Sequence, residues 1–90
     1  MAVRDVPMAE FLAFTEPGDQ DWSWNSQFRY LQDPENGHTE QLRKLFWDIK
    51  YSGQEEPVQV GPDSRLWDGH RRVWAIVALG LPTIKVDYVK

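Results

Sequence analysis

Four consecutive residues carry the densest chemistry in this chain. Gly69, His70, Arg71 and Arg72 follow Asp68 and open an apolar segment, "SRLWDGHRRVWAIVALGLP" (residues 64–82), that reads as a buried helix. A helix start presents unpaired N–H groups and a partial positive charge, so an anion seated there gains hydrogen bonds and favourable dipole electrostatics. Gly69 would let a ligand approach the backbone, the two guanidinium groups are planar forks suited to phosphate or carboxylate, and His70 could donate a hydrogen bond or accept a proton. Successive helical residues point about 100° apart, so the arginines cannot grip one ligand as a pair. One can bind while the other pairs with Asp68 or an acid on a neighbouring loop. The same pattern also describes an ordinary capped helix with solvated arginines, and the residues alone leave both readings open.

Other chemistries find less support. His70 beside Asp68 invites a metal reading, with His38, Asp63 and Asp87 as further ligands, but no pair has a recognised ligand spacing and Asp68 has a competing role as helix N-cap. A Mg²⁺ carried in by a nucleotide is the one metal the reading allows, and no cofactor is required. A nuclease needs a base or metal carboxylates near the phosphate, and the acids nearest in sequence are Asp63 and Asp68, while Glu55 and Glu56 read as a solvated rim. A single histidine without an orienting partner is weak grounds for acid–base catalysis. Enzymatic turnover is therefore not part of the leading expectation.

Composition narrows the field further. A chain of 90 residues makes one small domain, residues 1–90, with room for one principal site. With 41% hydrophobic residues and five tryptophans it is too apolar to be disordered. The absence of cysteine excludes disulfides, thiolate metal sites and a cysteine nucleophile, and suits a reducing interior. No long apolar run reads as a signal or a membrane span, so a soluble cytoplasmic protein without membrane contact is the default expectation. The formal charge of −4 weighs against strong autonomous DNA binding, although Arg65, Arg71 and Arg72 lie together while acids such as Asp19, Asp21, Glu55 and Glu56 lie elsewhere.

The elements that must position the Gly69 turn follow from periodicity. Ala2 to Asp5 suits a short strand, and Pro7 the first turn of a helix carrying Met8, Phe11 and Leu12. The stretch from Gln20 to Gly37 reads as an ordered loop held to the core by its aromatics and closed by the turn signal Asp33-Pro34-Glu35-Asn36-Gly37. Thr39 is a candidate N-cap for an amphipathic helix with Leu42, Leu45, Phe46 and Ile49 on one face and Gly53 as its stop. Pro57–Val60 and Arg65–Trp67 read as a hairpin, His70–Leu79 as a buried helix capped by Asp68 and ended by Gly80, and Thr83–Val89 as a half-buried strand. That order predicts an α+β fold, a small mixed sheet with packed helices.

The segment Gly69-His70-Arg71-Arg72-Val73-Trp74-Ala75 resembles the Gly-x-Arg-Arg-x-x-Ala box of the ParB N-terminal domain, part of the ParB/sulfiredoxin-like superfamily. Its surroundings are similar too. "EEPVQVGPDSRLWDGHRRVWAIVALGLPTIKVDYV" follows the family's order of Pro-Val strand, returning strand, box helix, Leu-Gly turn and Pro-hydrophobic final strand. Upstream, "TEQLRKLFWDIKYSGQ" resembles the family's helix before the Pro-Val strand, and "VRDVPMAEFLAF" its opening strand and short helix. The resemblance is weakest from Asp19 to His38. It implies a ParB/sulfiredoxin-like fold and a nucleotide, of the CTP or ATP class, or a nucleic acid, with phosphates held by Gly69, His70, Arg71 and Arg72. Arg29, following Asn25, corresponds to an early Asn-Pro-Arg element whose proline is missing here.

Departures from the family limit what carries over. His70 stands where sulfiredoxins carry their reactive cysteine and ParB proteins usually a glutamate, so sulfiredoxin activity is excluded. The sequence ends at Lys90, straight after the final strand, so a CTP-driven sliding clamp with its helix-turn-helix DNA reader is not expected. What is left resembles a stand-alone core of the kind often encoded by phages and other mobile elements. If it turns over a substrate, the resemblance implies a ParB-like nuclease or a nucleotide hydrolase or phosphotransferase. Trp47, Trp67 and Trp74 read as core or rim, whereas Trp22 and Trp24 sit in a polar stretch. Those two could stack on a base, engage a protein partner or close over the core. The alternative expectation is thus a small interaction protein with a vestigial pocket, using the acidic, aromatic Asp19–Tyr30 stretch on a host or regulatory protein.

Overall fold

The computed structural model describes residues 3–18 and 22–89. Ala2, Asp19, Gln20 and Asp21, which entered the expectations above, lie outside them. The elements run β1 (Val3–Pro7), α1 (Met8–Phe14), α2 (Trp24–Gln32), a 3₁₀ turn (Pro34–Asn36), α3 (Thr39–Ser52), β2 (Val58–Val60), β3 (Leu66–Asp68), α4 (His70–Leu79) and β4 (Thr83–Tyr88). The sheet order is β1-β4-β2-β3, antiparallel at both edges and parallel between β2 and β4. This is the expected α+β fold with a mixed sheet.

Alternation turns Val58, Val60, Leu66, Ile84 and Val86 inward, and α4 lays Val73, Ala75 and Ile76 on them. From α3, Ile49 joins the same core, and Phe11 of α1 completes it. Each aliphatic side chain so enclosed contributes about 1.5–3 kcal/mol relative to leaving it exposed. The start of α4 is thereby fixed between β3 and β2, with α3 packed alongside. Beyond β3, the backbone of Glu16 takes the open edge: its N–H donates to the Ser64 carbonyl (3.0 Å) and its carbonyl accepts from Leu66 (2.9 Å).

Several local expectations change: Pro7, for one, ends β1 and takes the cap position of α1 rather than its first turn. The stretch expected as a loop contains the nine-residue helix α2, because Trp24, Gln27, Phe28 and Leu31 fall at i, i+3, i+4 and i+7. The glutamine disguises that stripe, and Ser23 caps it by accepting from the Ser26 N–H (3.1 Å). Thr39 is the first residue of α3 rather than its cap; His38 takes the cap position without a side-chain bond. Asp68 does not cap α4 either. It ends β3, paired with Gln59, and the cap residue is Gly69 at φ 108°.

Candidate functional site

That φ fixes the identity of residue 69. The left-handed region strains any L side chain, and a Cβ there would stand 2.6 Å from Val58 Cγ1. Gly69 thus serves the core: the chain can turn from β3 into α4 only by passing this close to β2. The cap residue Gly69 makes no side-chain cap hydrogen bond, whereas Ser23 caps α2 with its hydroxyl.

The α4 start opens on a cleft of about 640 Å³, bounded by α2, α3 and the β3–α4 turn. Gly69, His70, Arg71 and Arg72 all line it. From α3 come Gln41, Lys44 and Asp48, spaced so that one helix face presents all three. Neither Gln41 nor Lys44 stands out in the sequence, yet they lie seven and four residues before Asp48, the signal that a second, polar stripe flanks the apolar one.

The arginines diverge. Arg71 reaches across the cleft and donates from Nη1 to Gln41 Oε1. Arg72 turns toward β2, where Nη2 meets Glu56 Oε2 at 2.9 Å and Nη1 meets Asp68 Oδ2 at 3.6 Å, with the Pro57 carbonyl at 3.5 Å. Glu56, expected as solvated rim, is therefore also an ion-pair partner. Arg65 leaves the cleft for the strand edge, where it meets Glu16 at 3.2 Å and the Pro17 carbonyl at 3.3 Å. One arginine faces the cleft squarely, one braces its rim and one fastens the preceding segment.

His70 is held by that segment. The Gly18 N–H donates to its Nε2 at 3.0 Å, so this nitrogen carries a lone pair and presents no proton to an anion. Gly18 is required by the approach, since a Cβ there would lie 2.3 Å from the Leu66 carbonyl oxygen.

The remaining candidates separate. Arg29 sits exposed on α2 and does not line the cleft. Trp24 turns inward, its ring 5.8 Å from both Phe11 and Phe28 and its Nε1 donating to the Thr15 carbonyl at 2.7 Å. Trp22 stays 39% exposed, edge-on to Tyr30. Tyr30 and Trp67, neither singled out for this site from the sequence, and His38, named there only as a distant metal ligand, bring rings to the cleft wall. Among the described residues no three His, Asp or Glu side chains converge to hold a metal, and no helix is long and apolar enough to cross a membrane.

No protein-family model and no curated protein sequence matches the chain. Solved structures do. The chromosome-partitioning protein ParB of Caulobacter crescentus, C-terminally truncated and complexed with CTP-γ-S, superposes with a TM-score of 0.65 at 21% identity, covering 100% of this chain and 45% of that one. Sulfiredoxin from Arabidopsis thaliana gives 0.66 at 19% identity, covering 100% of this chain and 86% of the other. A Pnob8-like ParB-N domain gives 0.63 at 15% identity over 97% of this chain and 29% of the other. The chain thus spans about half the length of the Caulobacter structure. Its fold is that of the ParB/sulfiredoxin-like proteins.

Proposed function

We propose that the chain is a ParB-like phosphate-binding module in which the α4 start, Arg71 and Lys44 hold the phosphates of a nucleotide of the CTP or ATP class, or of a nucleic-acid end. The observation that carries this reading is the α4 start, with a glycine at its cap, opening on a cleft that Arg71 spans. A helix start supplies N–H donors and positive potential, and a guanidinium adds a charge-assisted fork. The Caulobacter ParB complex with CTP-γ-S supports it by fold alone. Lys44, Arg71 and Arg72 oppose Asp48 and Asp68 along the cleft, so the site is locally cationic on an acidic chain.

A Mg²⁺ accompanying a triphosphate would be held by Asp48 and Asp68, and would neutralise phosphate charge. The reading is of binding rather than turnover, because the imidazole at the α4 start already uses its Nε2 lone pair on Gly18. An amide NMR titration with CTP, ATP and ADP, with and without Mg²⁺, tests it. Saturable shifts centred on residues 69–72 are expected, and their absence at millimolar ligand refutes the reading.

A second reading rests on Trp22, which stays exposed at the entry to α2. In it, that tryptophan engages a protein partner and the cleft is vestigial. Trp22→Ala would then abolish co-purification of the partner without touching nucleotide binding.

A further inference from the structure

We propose that the outer flank of α3, together with Trp74 of α4, is a docking groove for an acidic peptide segment that seats one bulky apolar side chain between two carboxylates. This surface lies apart from the cleft at the α4 start and does not depend on what that cleft binds.

Helix geometry separates the two. With successive residues about 100° apart, Leu42 and Ile49 are buried, Gln41, Lys44 and Asp48 turn to the cleft, and Arg43, Phe46, Trp47 and Lys50 turn to the opposite side. There Phe46, Trp47 and Trp74 border an apolar groove of about 330 Å³, with the buried Leu42 in its lining. The Phe46 ring lies 6.4 Å from that of Trp74 and edge-on to that of Trp47 at 5.5 Å. One turn further along, Tyr51 stacks on Trp47 at 5.8 Å.

The core does not account for these rings. Trp47 is 44% exposed and Tyr51 77%, and neither belongs to the hydrophobic cluster that α4 and the sheet enclose. Helix positions that face water are ordinarily polar, and contiguous exposed aromatic surface marks an interaction site. Stacking on one another holds the rings in place before a partner arrives, which lowers the ordering cost of binding.

Charge identifies the partner. Arg43 and Lys50 stand on the same side, seven residues and so about 10 Å apart along the helix, with Phe46 and Trp47 between them. Among the described residues neither forms an ion pair, whereas Arg65 and Arg72 are both matched to acids. Lys50 lies instead over the Trp47 ring, its Nζ 4.8 Å from the centroid. Of the two acids in α3, Asp48 lines the cleft, which leaves Glu40, a turn before Arg43, to oppose the two cations. On a chain of net charge −4, an apolar groove between two such cations complements a segment whose acidic residues flank a large apolar one. An anionic membrane fits less well, because the groove is concave and the net negative charge opposes approach.

Amide NMR titration of the full chain tests the proposal, using a blocked peptide with a leucine–phenylalanine centre between paired aspartates and its counterpart with lysines in their place. Saturable shifts at residues 39–51 and 74 are expected. At low salt the acidic peptide should bind at least about fivefold more tightly than the basic one, as two exposed charge pairs supply, and the margin should narrow as salt rises. Trp47→Ala should weaken binding by about tenfold, and the exposure of this ring lets the fold survive its removal. Arg43→Glu combined with Lys50→Glu should reverse the preference between the peptides, while Arg71→Ala should leave it unchanged. Equal binding of the two peptides, or no shift on this side at millimolar peptide, overturns the proposal. It also falls if sedimentation shows a dimer that Trp47→Ala abolishes, which gives the patch to a second copy, or if phosphatidylglycerol vesicles capture the chain through the same residues.

Discussion

Arg71 and Arg72 are neighbours in sequence with opposite expected phenotypes. Arg71→Ala removes one hydrogen bond to a surface glutamine, a change that ordinarily stays within about 0.5 kcal/mol of stability. Arg72→Ala removes two ion pairs whose carboxylates are well exposed, each worth about 0.2–1 kcal/mol, and uncovers a side chain that is only 23% exposed. Together these give a loss of about 1–2 kcal/mol, which in a domain of this size lowers Tm by roughly 4–16 °C. For binding the order reverses: a charge-assisted hydrogen bond contributes about 1.5–3 kcal/mol, so Arg71→Ala should weaken nucleotide binding by about 10- to 100-fold. Thermal melts by circular dichroism, paired with calorimetric titration of CTP or ATP at fixed ionic strength, read both quantities on the same samples. An Arg71→Ala variant that keeps full affinity, or an Arg72→Ala variant that binds nothing while melting at the parent temperature, would refute the division of labour.

Gly69→Ala should destabilise by more than about 2 kcal/mol, since positive φ and overpacking against Val58 add; urea melts will show whether the midpoint falls. Gln27→Leu should leave stability unchanged or raise it by about 1 kcal/mol, because the orphaned carbonyl disappears, and a lowered Tm would mean that Gln27 serves the fold. His70→Ala should release the Gly18 amide, seen as faster hydrogen exchange at that residue with little change in protection of the sheet. Trp24→Ala should cost about 2–4 kcal/mol in urea unfolding while Trp22→Ala costs less than about 1, following their packing.

The parts of the fold legible in the sequence are those whose pattern is local. Leu42, Leu45, Phe46 and Ile49 announce α3 by spacing alone, and Ile84 and Val86 announce β4 by alternation. Helix α2 is hidden because a buried position in its stripe is a glutamine, and pattern reading counts Gln27 as a surface residue. The Gly69 turn is legible as a helix start, but the reason for the glycine is not: Val58, eleven residues earlier, sets it from the adjacent strand. The directions of the three arginines are equally non-local, since Gln41, Glu56 and Glu16 come from three separate elements. Spacing shows that Arg71 and Arg72 must diverge; only the packing of α3 and β2 around α4 says which way.

The two ends of the cleft are therefore built on different principles, and that bears on how a ligand would be held. At the α4 end the backbone is fixed before any ligand arrives: Gly69 is wedged against Val58, Arg72 is braced by Glu56 and Asp68, and His70 is tied to Gly18. N–H groups positioned by the core need no ordering on binding, so their full interaction with a phosphate counts toward affinity. At the α2 end Gln27 and His38 carry unmet polar atoms and lack such braces, so a ligand there gains by completing hydrogen bonds the fold leaves open. Affinity should accordingly come mainly from the rigid end and discrimination from the incomplete one. If the α4 turn holds phosphate as proposed, further selectivity of the cleft would fall to its α2 wall, the element that the sequence conceals best.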